Sequence, residues 1–241
     1  MNSAIIIPAL NPDQKLISLV KRLREMDTSL IVIVNDGSRT NCSPIFDKLE
    51  SEYHCAICQH PENRGKGAAL KTGIRYAASI YPQCAGYVTA DADGQHTPED
   101  IVRVAEVLEK NPRYLVLGTR NFSERNVPFK SRWGNRITSW VFRQSTGVRC
   151  PDTQTGLRGI PSEFTAACLA VPGDRFEYEM NMLLEAAGEG VRFLKVPIAT
   201  VYLENNRSSH FHAVKDSFRI YANILKFALP LPKSGAKQKI L

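Results

Sequence analysis

No stretch of the 241-residue chain reaches about 18 uninterrupted apolar residues, so a simple membrane-spanning helix is not expected. The start, Met1-Asn2-Ser3-Ala4, has neither the basic opening nor the small-residue cleavage site of a secretory signal, and it runs directly into an apolar segment ending at Pro8. Six cysteines are too few for a disulfide scaffold at this length, which leads us to expect a reduced, cytoplasmic protein. Internal repeats and long linkers are also missing. With 43% hydrophobic and 23% charged residues, composition excludes a disordered or collagen-like chain.

Positive charge is what the chain has in excess. The net charge is +7, and it is unevenly spread. Residues 118–160 carry eight Lys/Arg against two Asp/Glu, residues 203–241 carry seven against two, and the remainder is net acidic. Two basic blocks on an otherwise acidic chain point to an anionic partner such as phosphate or lipid headgroups, or else to two solvated basic faces.

The first half alternates short apolar runs with helical patterns. Residues 4–7, 30–34, 55–58, 87–90 and 114–117 have the Ile/Val content and flanking turn residues of buried strands. Helical spacing appears over 13–26, 67–80 and 98–110, with Asn11 and Thr97 placed as caps and Pro12 suited to a first turn. This alternation predicts an α/β fold, a mostly parallel sheet with helices on both faces. The second half is less regular, with helices expected over 133–144, 162–170 and 176–187, a short strand within 155–160 and an extended run over 192–202. A final amphipathic helix over 213–229 precedes a Pro/Lys tail, so residues 1–212 read as one domain and 213–241 as an appendage.

In parallel sheets ligands bind beyond the carboxyl ends of the strands, so the residues directly after each strand are the informative ones. After the fourth comes Asp91-Ala92-Asp93-Gly94-Gln95-His96. In extended chain Asp91 and Asp93 would share one side, about 6–7 Å apart at Cα. Two adjacent carboxylates repel unless a cation joins them, and a hard divalent ion, Mg²⁺ or Mn²⁺, suits oxygen ligands. Gln95 continues the same side and can add a neutral oxygen. The alternative is an acidic turn ahead of the helix at Pro98.

The strand ends then form a set: Pro8-Ala9-Leu10-Asn11, Asn35-Asp36-Gly37-Ser38, Asn63-Arg64-Gly65-Lys66-Gly67-Ala68-Ala69, and the Asp91–Gln95 motif. In this order they resemble the nucleotide-sugar half of a family 2 GT-A glycosyltransferase. Further pieces, Gln95–Asp100, Gly118-Thr119-Arg120, Ser131-Arg132, Gly156-Leu157-Arg158-Gly159, Arg175-Phe176-Glu177-Tyr178-Glu179 and Arg207-Ser208-Ser209, are similar to the dolichyl- or polyprenyl-phosphate hexose synthases of that family. The resemblance implies the GT-A fold and nucleotide-sugar contacts at Pro8, Leu10, Asp36, Lys66, Asp91, Ala92 and Asp93. It also implies a metal at Asp91, Asp93 and Gln95, and catalytic roles for Asp93 and for the acceptor-phosphate arginines Arg120, Arg132 and Arg207. Asn35 stands where Asp is common and Pro12 where Glu is common, and the match after Arg207 is looser.

The expected activity is therefore inverting transfer of a hexose from a UDP- or GDP-sugar to a polyprenyl phosphate, by a protein peripheral on the cytoplasmic face of an anionic membrane, with no nucleic-acid partner. A phosphate monoester is largely dianionic near pH 7 and needs positioning more than a general base. With a hydroxyl acceptor, Glu177 or Glu179 would instead serve as base. With a phosphate acceptor, Glu179 reads as structural or as partner to a clamp arginine. A non-catalytic basic module is a third reading, which the intact Asp91–Gln95 motif argues against.

On a helix, Arg132, Arg136 and Arg143 fall within about 40° of one another beside an apolar face of Trp133, Ile137 and Trp140. That face suits either a membrane interface or the protein core. The same pair of alternatives holds for Val214, Phe218, Tyr221, Ala222, Leu225 and Leu229, flanked by Lys215, Arg219 and Lys226. Finally, Cys55 and Cys58 would point to opposite faces of a strand, which does not suit a shared zinc ion.

Overall fold

The computed structural model describes residues 1–28, 30–122 and 129–199. Seven strands among these residues form one sheet: β1 (Ser3–Ala9), β2 (Leu30–Asp36), β3 (Ala56–His60), β4 (Gly86–Thr89), β5 (Tyr114–Arg120), β6 (Arg158–Pro161) and β7 (Arg192–Ile198). Their order is β3-β2-β1-β4-β6-β5-β7. All neighbours run parallel except β6, which is antiparallel to both β4 and β5. Among the described residues the α-helices are α1 (Gln14–Glu25), α2 (Ser43–Ser51), α3 (Lys66–Ile80), α4 (Pro98–Lys110), α5 (Phe129–Thr146), α6 (Thr165–Ala170) and α7 (Glu177–Gly188). This is the expected mostly parallel α/β architecture. The expected C-terminal helix, the 212/213 boundary and Arg207 lie outside the described residues.

Alternation along β1 shows how the layers form. Ile5, Ile7 and Ala9 pack with side chains of α1, α2 and α4, while Ala4 and Ile6 pack with those of α3 and α7 on the other face. Ile5, Ile6 and Ile7 are all fully buried, each contributing about 1.5–3 kcal/mol by leaving water. Burial on both faces produces the continuous Ile/Val run seen in the sequence. Cys55 belongs to one of these cores and Cys58 packs against the other, so they cannot share an ion.

Several boundaries shift for local reasons. Helix α1 is capped by Asp13, whose carboxylate accepts from the Lys15 N–H, and not by Asn11. Asn11 instead takes a left-handed backbone (φ 49°) and ties two strand ends together. Its N–H donates to Ser38 Oγ (2.8 Å) and its Oδ1 accepts from the Arg39 N–H (2.9 Å). Thr97 does cap α4, accepting from the Asp100 N–H. Helix α5 runs longer at both ends than its Trp133–Gln144 periodicity indicated.

Two close approaches anchor α7, one to α3 and one to β6. A Cβ on Gly67 would lie 2.5 Å from Tyr178 Cβ, so only glycine lets α3 meet α7. Arg158, fully buried at the start of β6, donates to Thr155 O (2.9 Å) and to the Glu179 carbonyl of α7. The obstacle at Gly67 is a first side-chain carbon, which cannot swing away. Gly67→Ala is therefore expected to destabilise by about 1–3 kcal/mol, the overpacking range, although alanine is intrinsically the better helix former by about 1 kcal/mol. Urea unfolding measures this, and a variant as stable as the parent would show that the α3–α7 contact is looser than described.

Candidate active site

Strands β1, β2 and β4 end at the same edge because the register aligns Pro8 with Val34 and Ile6 with Thr89. The chain leaves β1 for β2 on one side and later returns to β4 on the other, so a crevice opens between the loops. A cleft of about 340 Å³ lies there. Its lining brings together Pro8, Leu10, Asp36, Lys66, Asp91, Ala92 and Asp93, from four separate sequence segments, together with Asn63, Arg175 and Phe176. Arg175 and Phe176 come from the loop before α7 and were recognised in the sequence only as part of a motif.

The acidic motif is not extended. Residues 92 and 93 form a turn, and Asp93 Oδ1 accepts from the Gln95 N–H (3.0 Å). That turn breaks the alternation expected from extended chain, and Gln95 is not among the residues lining the cleft. Of the three expected metal ligands, then, two carboxylates face the cleft.

Asp91 is held from two directions. Its Oδ1 pairs with the Lys66 ammonium at 2.7 Å, and its N–H donates to His96 Nδ1 at 3.0 Å. A ring nitrogen that accepts must carry no proton, so His96 is neutral, with Nε2 3.9 Å from Asp91 Oδ2. Burial holds His96 below its ordinary value despite the nearby carboxylates. Burial by itself would raise the Asp91 carboxyl, but Lys66, helped by His96 and Arg120, outweighs it and holds Asp91 at about 2. Asp93 goes the other way: burial, and then the negative charge of Asp91, push it up.

Lys66 opens α3, where the left-handed Gly65 (φ +103°) turns the chain inward. Its ammonium also pairs with Glu179 Oε2 of α7 at 2.9 Å and lies 5.9 Å from the Phe176 ring centroid. Burial pushes Lys66 down, but the two carboxylates outweigh this and keep it protonated. Glu179 thus has a lysine partner, not a clamp arginine. Glu177 Oε1 accepts from the Asp174 and Arg175 N–H groups at the start of α7.

Asp36 lines the cleft while also building it. Its carboxylate accepts from the Arg64 and Gly65 N–H groups (2.9 Å each), fixing the loop that carries Lys66. His60 Nδ1 lies 2.7 Å from Asp36 Oδ1, and His60 Nε2 faces Thr72 Oγ1 at 3.0 Å. Asn35, in the place where Asp is common, accepts from the Ser38 N–H and donates to Gln59 Oε1.

Arg120, at the end of β5, grips the buried Asp152 with one edge of its guanidinium, Nε to Oδ2 at 2.8 Å and Nη2 to Oδ1 at 2.9 Å. It is not among the residues lining the cleft, although its charge helps lower Asp91. Asp152 was not foreseen; it sits in an irregular loop whose only signal is a carboxylate among small residues. Arg132 is half-buried on α5. On the same helix Trp133, Ile137 and Trp140 are 47%, 44% and 63% exposed, so this face is not a core face.

Comparison with known proteins agrees with this geometry. A 30% identical relative from Methanococcus voltae, named as a UDP-N-acetylglucosamine–dolichyl-phosphate N-acetylglucosaminyltransferase, aligns over 92% of this chain and 94% of its own. An undecaprenyl-phosphate 4-deoxy-4-formamido-L-arabinose transferase from Pseudomonas syringae is also 30% identical, over 69% of this chain and 49% of its own. Among solved structures, glucosyl-3-phosphoglycerate synthase from Mycobacterium tuberculosis, in complex with Mn²⁺, UDP and phosphoglyceric acid, superposes with a TM-score of 0.67 at 16% identity, over 97% of this chain and 80% of that one. Mannosyl-3-phosphoglycerate synthase from Rubrobacter xylanophilus gives 0.69 at 12% identity, over 98% and 78%. Residues 4–159 match the profile of glycosyl transferase family 2, and the chain, with its GT-A sheet and strand-end cleft, belongs to that family of glycosyltransferases.

Proposed function

We propose that this glycosyltransferase moves a hexose from a nucleotide-diphosphate sugar to a polyprenyl phosphate at a membrane surface, with inversion at the anomeric carbon. The observation that carries the donor half is the convergence of Pro8, Leu10, Asp36, Lys66, Asp91, Ala92 and Asp93 on one cleft. The acceptor half is supported by the two relatives, both named for a polyprenyl phosphate.

A Mg²⁺ or Mn²⁺ ion fits the residues present. Asp91 and Asp93 are hard carboxylate donors on one turn. Burial and then the charge of Asp91 push the Asp93 carboxyl up, and a cation between the two would relieve the repulsion. Space is kept at Asp91 by Gly156, where a Cβ would stand 2.4 Å from Asp91 Oδ2. Two protein carboxylates would leave coordination positions for a substrate's oxygens. When bound, the ion would neutralise charge on the departing diphosphate.

The chain's own residues do the rest. Lys66 puts fixed positive charge at the cleft floor, and Asp36 holds the loop that aims it. The acceptor's phosphate oxygen attacks the anomeric carbon opposite the diphosphate, whose bond to that carbon breaks with its electron pair. No base is needed, since the dianion is already the nucleophile. Glu179 Oε2 is paired with Lys66 and Glu177 Oε1 with the amides that open α7, which fits a structural part for both. Arg120, oriented by Asp152, and Arg132 and Arg207 are assigned to the acceptor phosphate, where a planar fork grips oxygens in pairs.

No helix among the described residues is long and apolar enough to cross a membrane. We assign membrane contact to the exposed α5 face, where Arg136 stacks over Trp133 at 5.8 Å to the ring centroid. Tryptophan beside arginine suits the headgroup depth of a bilayer.

The defining assay offers UDP- and GDP-hexoses with Mn²⁺ and a polyprenyl monophosphate, and scores lipid-linked sugar by mass. Transfer to the phosphate is expected, and transfer only to glycan hydroxyls would replace this reading. Asp93→Ala should lower turnover at least about 100-fold with little change in melting temperature, because its part is electrostatic. Retained turnover in metal-containing buffer would remove Asp93 from the site. Trp133→Ser combined with Trp140→Ser should weaken sedimentation with anionic vesicles and lower transfer to long-chain acceptors, yet spare UDP binding. Unchanged sedimentation at low salt would return α5 to ordinary surface.

A further inference from the structure

Lys66 is an ammonium ion fixed where a metal-binding carboxylate would need to be open. It sits 2.7 Å from Asp91 Oδ1 and is steadied from behind by Glu179 Oε2 at 2.9 Å. The lysine opens a helix whose first turn is packed onto α7, so it is not a surface side chain free to swing away. Asp91 therefore already shares a cation with Glu179, and Asp93 has no ion pair with that lysine. A divalent ion arriving alone would meet a like-signed neighbour on one of its two carboxylates.

We propose that Lys66 is a place-holding cation that makes metal entry depend on the nucleotide diphosphate. Without nucleotide, Lys66 satisfies Asp91 and opposes a divalent ion at the Asp91–Asp93 turn. A diphosphate in the cleft supplies negative charge that both cations can share, so ion and nucleotide enter together. Glu179 acts as a positioning residue: it holds the ammonium at the cleft floor when Asp91 turns to the ion. By linkage, whatever factor the nucleotide adds to metal affinity, the metal adds to nucleotide affinity. The enzyme thereby avoids carrying a bare divalent ion in an empty donor site.

This inference rests on the donor-site reading above, and its test separates the two. Mn²⁺ binding is titrated by calorimetry and by loss of the free-ion paramagnetic resonance signal, with and without UDP, on the full chain. The parent should bind Mn²⁺ alone weakly and at least about tenfold more tightly with UDP, within the usual range of coupling. Lys66→Met should tighten binding of Mn²⁺ alone about tenfold or more and shrink the UDP effect, whereas Lys66→Arg should keep the parent's pattern. Because Lys66→Met strands two carboxylates, the double variant Lys66→Met/Glu179→Gln removes the more buried of them together with the ammonium and should also tighten Mn²⁺ alone. Lys66→Met, or the double variant should the single one not fold, binding Mn²⁺ alone no better than the parent would overturn the proposal. Failure of the parent to bind UDP even with Mn²⁺ would instead overturn the donor-site reading.

Discussion

One half-buried ammonium organises the site. Lys66 comes from the first turn of α3, Asp91 from the end of β4 and Glu179 from α7, and the three meet within hydrogen-bonding distance. Losing one partner leaves the others charged and unmatched. The charge therefore pins the two halves of the chain to each other at the cleft, and neighbouring features follow from it. Gly65 must turn left-handed to send the lysine inward, Gly67 must lack a side chain for α3 to reach α7, and Asp36 must hold the Arg64 and Gly65 amides for that turn to form.

A second, separate pairing stands at the β5 end. Asp152, with no solvent exposure, takes the Arg120 fork and the Arg120 N–H. It orients an arginine toward the site without occupying the cleft. Asn135, Thr138 and Thr153 continue this polar network into α5: Asn135 accepts from the Thr153 N–H, and the Thr153 hydroxyl donates to Thr138. The helix that shows tryptophans to the surroundings is thus wired, through its inner face, to the loop that orients Arg120. In the proposed reaction this connects the membrane-facing element to the acceptor end of the site.

Much of this was legible in advance wherever a local rule sufficed. The Ile/Val runs marked β1 and β2 because burial on both faces allows no polar alternation. Thr97-Pro98 marked the start of α4 because capping is decided within four residues. The strand-end motifs marked the cleft because parallel topology sends every carboxyl end to one edge. Asn11 misled for the same reason that Thr97 did not. Both are good caps, but Asn11 was claimed by Ser38 and Arg39, 27 and 28 residues away. Gln95 misled because two-residue alternation holds only in extended chain, and the Asp93 carboxylate closes a turn.

The sequence by itself determined the layered α/β class, the family and the residues that the strand ends deliver to the cleft. These depend on periodicity and on motifs a few residues long. Only the tertiary structure decided what each charge is for. That Lys66 answers Asp91 and Glu179, that Arg120 answers Asp152, and that Trp133 and Trp140 face outward are facts about contacts between segments 25 to 113 residues apart or about which face a helix turns to its neighbours. Electrostatic pairing acts through space over a few ångströms, and chain separation carries no record of it.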